Sequence, residues 1–211
     1  MRSAVRSTLS AALLGAAALL AGCASEPATK LEVTWAPPQP PQAASFKKLL
    51  IMTVASSEFV QIAVQDQLAA ELKKRGVNAV ASRRYFTRYT TAEHERFKKS
   101  LADSGADFVL VARVTNTDEK SFEDRGAIVG MNGMPYSGVY ARYVYPTSYV
   151  AGADGSVKSV TADASIFAVK DEQLVWSART RTTNAQSTTG AAYAPQYVGV
   201  ILDAMKKDKL F

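Results

Sequence analysis

Few residues in this chain of 211 could carry chemistry. It has one histidine, His94, and one cysteine, Cys23. A general base must be held against a reacting proton. His94 instead precedes Phe97 by three residues and Leu101 by seven, so it flanks an apolar helical stripe and reads as a boundary residue. No serine stands in a Gly-x-Ser-x-Gly elbow. Zinc draws on His and Cys ligands, which are too scarce here, so no metal site is expected. The stretch Ala55-Ser56-Ser57-Glu58 between an expected strand and helix has no glycine, which argues against a phosphate-cradling loop. The acid pairs Asp118-Glu119 and Glu123-Asp124 could form a glycosidase pair or a calcium loop, but neighbouring acids in a linker are ordinarily solvated. The expectation is a protein without catalytic residues, and therefore not an enzyme.

Cys23 has a more specific setting. Arg2 and Arg6 precede the Ala/Leu-rich stretch 9–20, the layout of a secretory signal peptide, and the stretch is too short to span a bilayer. The sequence Leu20-Ala21-Gly22-Cys23 resembles the lipobox of bacterial lipoproteins. That resemblance implies removal of residues 1–22, a thioether-linked diacylglycerol on Cys23 and an acyl chain on its freed amine. No other cofactor is expected. Cleavage of an ordinary signal peptide nearby would instead leave Cys23 as a free thiol. Each buried CH₂ contributes about 0.8 kcal/mol, and two or three chains together make a lasting anchor in the membrane. Ala24 and Ser25 follow the cysteine where Asp would mark inner-membrane retention, so the resemblance implies the outer membrane and a body facing the periplasm. An oxidising compartment suits a body with no further cysteine.

Without residues 1–22 the chain keeps 23 basic and 19 acidic side chains. A sequence pI near 9.4 would raise nucleic acid as a partner, but export removes it. Arg83, Arg84 and Arg88 interleave with Tyr85, Phe86 and Tyr89, and Lys206, Lys207 and Lys209 cluster near the end. These clusters fit a solvated surface or an anion site for lipid headgroups or cell wall.

The compositional outlier is segment 126–155, which holds six of the twelve glycines and five of the nine tyrosines. Around Gly130, Gly133 and Pro135 it is apolar yet too rich in Gly and Pro for a helix. Tyrosine and methionine offer large apolar area with a polar tip or a soft side chain, so Met131, Met134, Tyr136, Tyr140, Tyr143 and Tyr145 form the candidate partner-binding set. The alternative places the tyrosines on a half-buried sheet.

The elements around these residues follow from periodicity. Residues 23–45 hold five of the eight prolines and read as a lipidated tether reaching about 65 Å if extended, or about half that if Leu31, Val33 and Trp35 lie on a docked strand. The domain is expected over 46–211. Its buried strand, Phe46 to Val54, leads into a helix capped at Ser56 or Ser57, with Val60, Val64, Leu68 and Leu72 as its stripe and Gly76 as its stop. Residues 77–81 then complete a right-handed βαβ unit. A second helix is expected from Thr90 or Thr91 to Ser104, and a buried strand from Phe108 to Val114. Three extended stretches follow, 139–150, 156–169 and 173–184, with Ala153-Asp154-Gly155-Ser156 as a hairpin turn. In the middle one, alternation predicts a core face through Ala162, Ala164 and Ile166 and a wet face through Thr161, Asp163 and Ser165. Leu174, Trp176 and Ala178 are expected on one side of the last. A helix near Pro195, with Val198, Ile201, Leu202 and Met205, closes the domain. The predicted fold is an α/β sandwich with one mixed sheet: a βαβ-αβ start, then antiparallel strands, then a C-terminal helix.

Over residues 46–211 the body resembles small Gram-negative lipoproteins grouped by a domain of unknown function. The matching stretches include Phe46-Lys47-Lys48-Leu49-Leu50, Gly105-Ala106-Asp107-Phe108-Val109-Leu110-Val111 and Leu174-Val175-Trp176-Ser177-Ala178. The order of elements is more distantly similar to the TolB amino-terminal domain, curli secretion lipoproteins and lipoprotein activators of peptidoglycan synthases. The function implied is a non-catalytic module that binds an envelope protein. An oligomeric, self-assembling secretion component is the alternative.

Overall fold

The computed structural model describes residues 28–39, 46–55, 57–86, 93–115, 139, 159–183 and 194–211. The elements are β1 (Ala28–Trp35), β2 (Leu49–Val54), α1 (Glu58–Lys74), β3 (Ala79–Ala81), α2 (His94–Asp103), β4 (Phe108–Thr115), β5 (Ser159–Ala168), β6 (Leu174–Thr183) and α3 (Ala194–Lys207), with a 3-10 turn at Ser82–Arg84. They form one mixed sheet in the order β1-β6-β5-β4-β2-β3. β2 runs parallel to β3 and β4, and the remaining neighbours are antiparallel. This is the predicted α/β class.

Leu49, Leu50, Ile51 and Met52 are all fully buried because both faces of the sheet are covered. On the first face, Leu49 and Ile51 join Leu110, Ile166 and Trp176 beneath Val64, Leu68 and Leu72 of α1 and Ile201, Leu202 and Met205 of α3. On the second face, Leu50, Met52, Val109 and Val111 meet Phe97 and Leu101 of α2, together with Phe86 and Val139. Phe46 precedes the strand and packs edge-on against Phe108, with ring centroids 4.7 Å apart.

The helix ends explain the turns between layers. At the end of α1, Gly76 has φ +81, and the amides of Gly76 and Val77 bond back to the carbonyls of Lys73 and Leu72. The end of α3 repeats this with Lys209 and Leu210 bonding back to Lys206 and Met205, but there the left-handed residue is Lys209, φ 59. Ser57 occupies the N-cap of α1 without a side-chain cap bond. α2 starts at His94, behind an N-cap at Glu93, later than the Thr90 or Thr91 start expected, and those threonines lie outside the described residues.

Two expectations of face are corrected. Thr161, Asp163 and Ser165 are not wet but only 2–3% exposed: β5 is an inner strand, flanked by β4 and β6, and the side chains opposite Asp163 on that face are Arg113 and Arg179. Leu174 does not share a side with Trp176. A bulge puts Ile166 opposite Trp176 and Phe167 opposite Leu174, which shifts the phase of β6 by one residue. Leu174 therefore packs on the second face and Trp176 on the first.

Candidate functional site

The sequence-nominated residues Cys23, Met131, Met134, Tyr136, Tyr140, Tyr143 and Tyr145 lie outside the described residues, as do the acid pairs at 118–124 and the stretch 140–150. What the structure does place is their point of departure. Thr115 ends β4 opposite Thr161 of β5, and Thr183 ends β6 opposite both Ser159 and Ala28. Ala28, Thr115, Ser159 and Thr183 thus mark one end of the sheet, here termed the insertion end. Residues 1–27, 116–158 and 184–193 all join the described body there. β2 also finishes toward this end, and α1 and α3 both start from it. Their C-termini reach the opposite end, where Trp176 Nε1 donates to Asp208 Oδ2 at 2.9 Å.

Val139, the one described residue within 116–158, is fully buried among Leu50, Met52, Phe97 and Val111. The insertion is therefore tied back to the second face of its own body at that residue.

Farther along the second face, the sheet carries a charged row. Arg113, Asp163 and Arg179 sit in register across β4, β5 and β6. Asp163 accepts from Arg179 Nε at 2.7 Å and from Nη2 at 3.1 Å, and the two side chains are only 3% and 13% exposed. A planar guanidinium bonded through two nitrogens holds the carboxylate in one geometry. Ser165 and Ser177 form the next row and Thr161 and Arg181 the one before, where Arg181 donates to Glu32 of β1 at 2.5 Å. Sequence alternation missed this cluster. Its legible signal is a pair of opposite charges, Arg113 and Asp163, each the sole charge within its strand.

Above the first face, Tyr197 of α3 is buried and its hydroxyl finds no partner among the described residues. Burial, and secondarily the Asp163 charge, push its pKa well above the usual tyrosine value.

The basic-aromatic cluster divides into local contacts. Arg83 pairs with Asp66. Tyr85 OH accepts from Lys48 Nζ at 2.9 Å, with that ammonium 4.8 Å from the ring centroid. Phe86 packs on Phe97 at 5.2 Å. Arg88 and Tyr89 lie outside the described residues. His94 is a partly exposed residue at the start of α2, its Nδ1 3.5 Å from Glu95. Among the described residues, no three metal-ligating side chains cluster, and no helix is long and apolar enough to cross a membrane.

Sequence reading also missed Phe59 and Ile62, 65% and 39% exposed on the first turns of α1. Phe59 stands one residue off the stripe that begins at Val60, which was the available signal.

The fold thus defines an α/β sandwich with a long insertion at one end of its sheet. The chain matches no protein-family model and no curated protein. Among solved structures it is similar to the PelC dodecamer from Paraburkholderia phytofirmans, with 13% identity, 85% of this chain and 95% of that chain covered, and a TM-score of 0.43. A point variant of the same dodecamer, in another space group, gives 12% identity, 83% and 96% coverage, and 0.42. The lipoprotein GNA1162 from Neisseria meningitidis gives 14% identity, 75% and 96% coverage, and 0.40. Likenesses at this level concern the chain path alone.

Proposed function

We propose that this chain is a non-catalytic binding module of the cell envelope, anchored in the outer membrane by lipid on Cys23 and facing the periplasm, with segment 126–155 as its contact surface for an envelope protein. One observation carries the reading. β4 and β5 are antiparallel neighbours with Thr115 opposite Thr161, and such strands are ordinarily joined by two to five residues. Here residues 116–158 intervene. A connection beyond about 15 residues is ordinarily either a functional surface or a linker, and the concentration of glycines and tyrosines in this one favours the surface. Leu20-Ala21-Gly22-Cys23 supports the anchor.

Self-assembly is a second reading, favoured by the edge strand β1. Among the described residues it pairs only with β6, which leaves its other row of amides and carbonyls open to a further strand.

The test is crosslinking in intact cells, isolation of the acylated protein and mass spectrometry of what accompanies it, repeated with Tyr140→Ala and Tyr143→Ala together. One recurrent envelope partner, lost in the double variant while the fold is retained, supports the binding module. Unchanged capture removes 126–155 as its contact surface. Recovery of only its own copies favours self-assembly.

A further inference from the structure

We propose that the body stands on the bilayer by its insertion end, tilted so that Phe59 and Ile62 at the start of α1 enter the headgroup region. This deepens the anchor reading and rests on it.

The first argument is reach. Only Ala24, Ser25, Glu26 and Pro27 separate Cys23 from Ala28, the first residue of β1. Fully extended, that connection spans at most about 18 Å. β1 then runs away from the insertion end, and its seven steps to Trp35 cover about 24 Å. With the body inverted and β1 along the membrane normal, Ala28 would stand about that far above the lipid, beyond the connection's reach. The insertion end or a flank of the body must therefore face the bilayer.

The most exposed of the large apolar side chains, Phe59, distinguishes the two. The large hydrophobic side chains exposed among the described residues are Leu31 and Val33 at 36% and 37%, Ile62 at 39% and Phe59 at 65%. Phe59 and Ile62 are three residues apart and share one helix face. They follow directly on the exit of β2 toward the insertion end. Thr53 Oγ1 donates to the Gln61 carbonyl at 2.9 Å, and Gln61 Nε2 donates to the Ala55 carbonyl at 2.5 Å, so these first turns are pinned to the end of β2. A fixed Phe and Ile at the end nearest the acyl chains suit the bilayer interface, where an aromatic ring buries apolar area at headgroup depth.

Charge is arranged accordingly. Lys73, Lys74 and Arg75 close α1, and Lys206, Lys207 and Lys209 close α3, at the opposite end of the body. Among the described residues these two clusters stand away from the bilayer, and the contact made by Phe59 and Ile62 is itself apolar.

The experiment uses full-length protein isolated from membranes and reconstituted into phosphatidylcholine vesicles containing lipid brominated near the headgroup. The mass of the N-terminal peptide reports acylation. Tryptophan emission is compared between the native protein, whose Trp35 and Trp176 lie away from the insertion end, and a Trp35→Phe, Phe59→Trp variant. The expected result is loss of emission from the position-59 reporter with native emission unchanged, independent of added phosphatidylglycerol. An acylated protein whose reporter keeps its emission, or loses it only with phosphatidylglycerol present, overturns the orientation and leaves the anchor standing. An unacylated N-terminus overturns the anchor reading and the orientation with it.

Discussion

Asp163 and Arg179 face each other across β5 and β6, bonded through two guanidinium nitrogens at 2.7 and 3.1 Å where almost no water reaches. Taking both charges out of water is costly, and their attraction offsets that cost only while both are present. Asp163→Ala therefore leaves a guanidinium buried without its carboxylate, with an expected loss of about 3–5 kcal/mol in urea unfolding. Replacing both residues with apolar ones should cost markedly less than the sum of the single changes. Additive losses in the double-mutant cycle would show that the pair is not coupled.

Tyr197 gives a pH prediction. Its pKa is raised chiefly by burial, so the folded state keeps a proton that the unfolded chain releases above about pH 10. The unfolded state then binds fewer protons, and stability should fall as pH rises through that value while remaining intact below it. Tyr197→Phe should flatten this alkaline decline. At neutral pH it should be neutral or stabilising by up to about 1 kcal/mol, since it removes a buried hydroxyl that has no partner among the described residues. Thermal melts at pH 7 and pH 10.5 check both statements.

The two similar helix ends make a matched pair. Gly76 and Lys209 both adopt positive φ, and a Cβ at Gly76 would meet nothing within 4 Å, so any penalty there is one of backbone conformation. Gly76→Ala should destabilise by about 1 kcal/mol, and Lys209→Gly should stabilise by up to about 1 kcal/mol. Equal and opposite shifts in the denaturation midpoint are expected. No change in either variant would mean that neither turn is strained.

The parts of the fold legible in the sequence were those where one local signal sufficed. The buried run at 49–52, the Gly76 stop and the 198–205 stripe each lie where expected. What escaped depended on partners distant in sequence. The polarity of Thr161, Asp163 and Ser165 suggested water, and only their pairing with β4 and β6 turns that face into a buried polar row. The bulge at Ile166 and Phe167 has no glycine to announce it, so alternation alone sets Leu174 on the wrong face. That 116–158 is an insertion between neighbouring strands likewise emerged from register, because composition marked the segment without saying that its two ends meet.

The register also permits a deletion. Thr115 and Ser159 end adjacent antiparallel strands, so a turn of three to five residues containing Asn-Gly can replace 116–158 without breaking a described ladder bond. The shortened protein loses Val139 from the α2-side core, a truncation comparable to a large-to-small core change of about 2–4 kcal/mol. It should still unfold cooperatively with the far-ultraviolet signature of a mixed sheet. Anchoring through Cys23 should be untouched, and capture of an envelope partner should be abolished. A deletion that folds and still captures the partner would move the contact surface to the body itself, with the open edge of β1 next to be blocked. The substitution Val33→Lys on that strand places a charge on the edge without entering the core, since Val33 is already 37% exposed. Loss of capture in Val33→Lys, with capture retained in the deletion, would assign recognition to strand addition at β1.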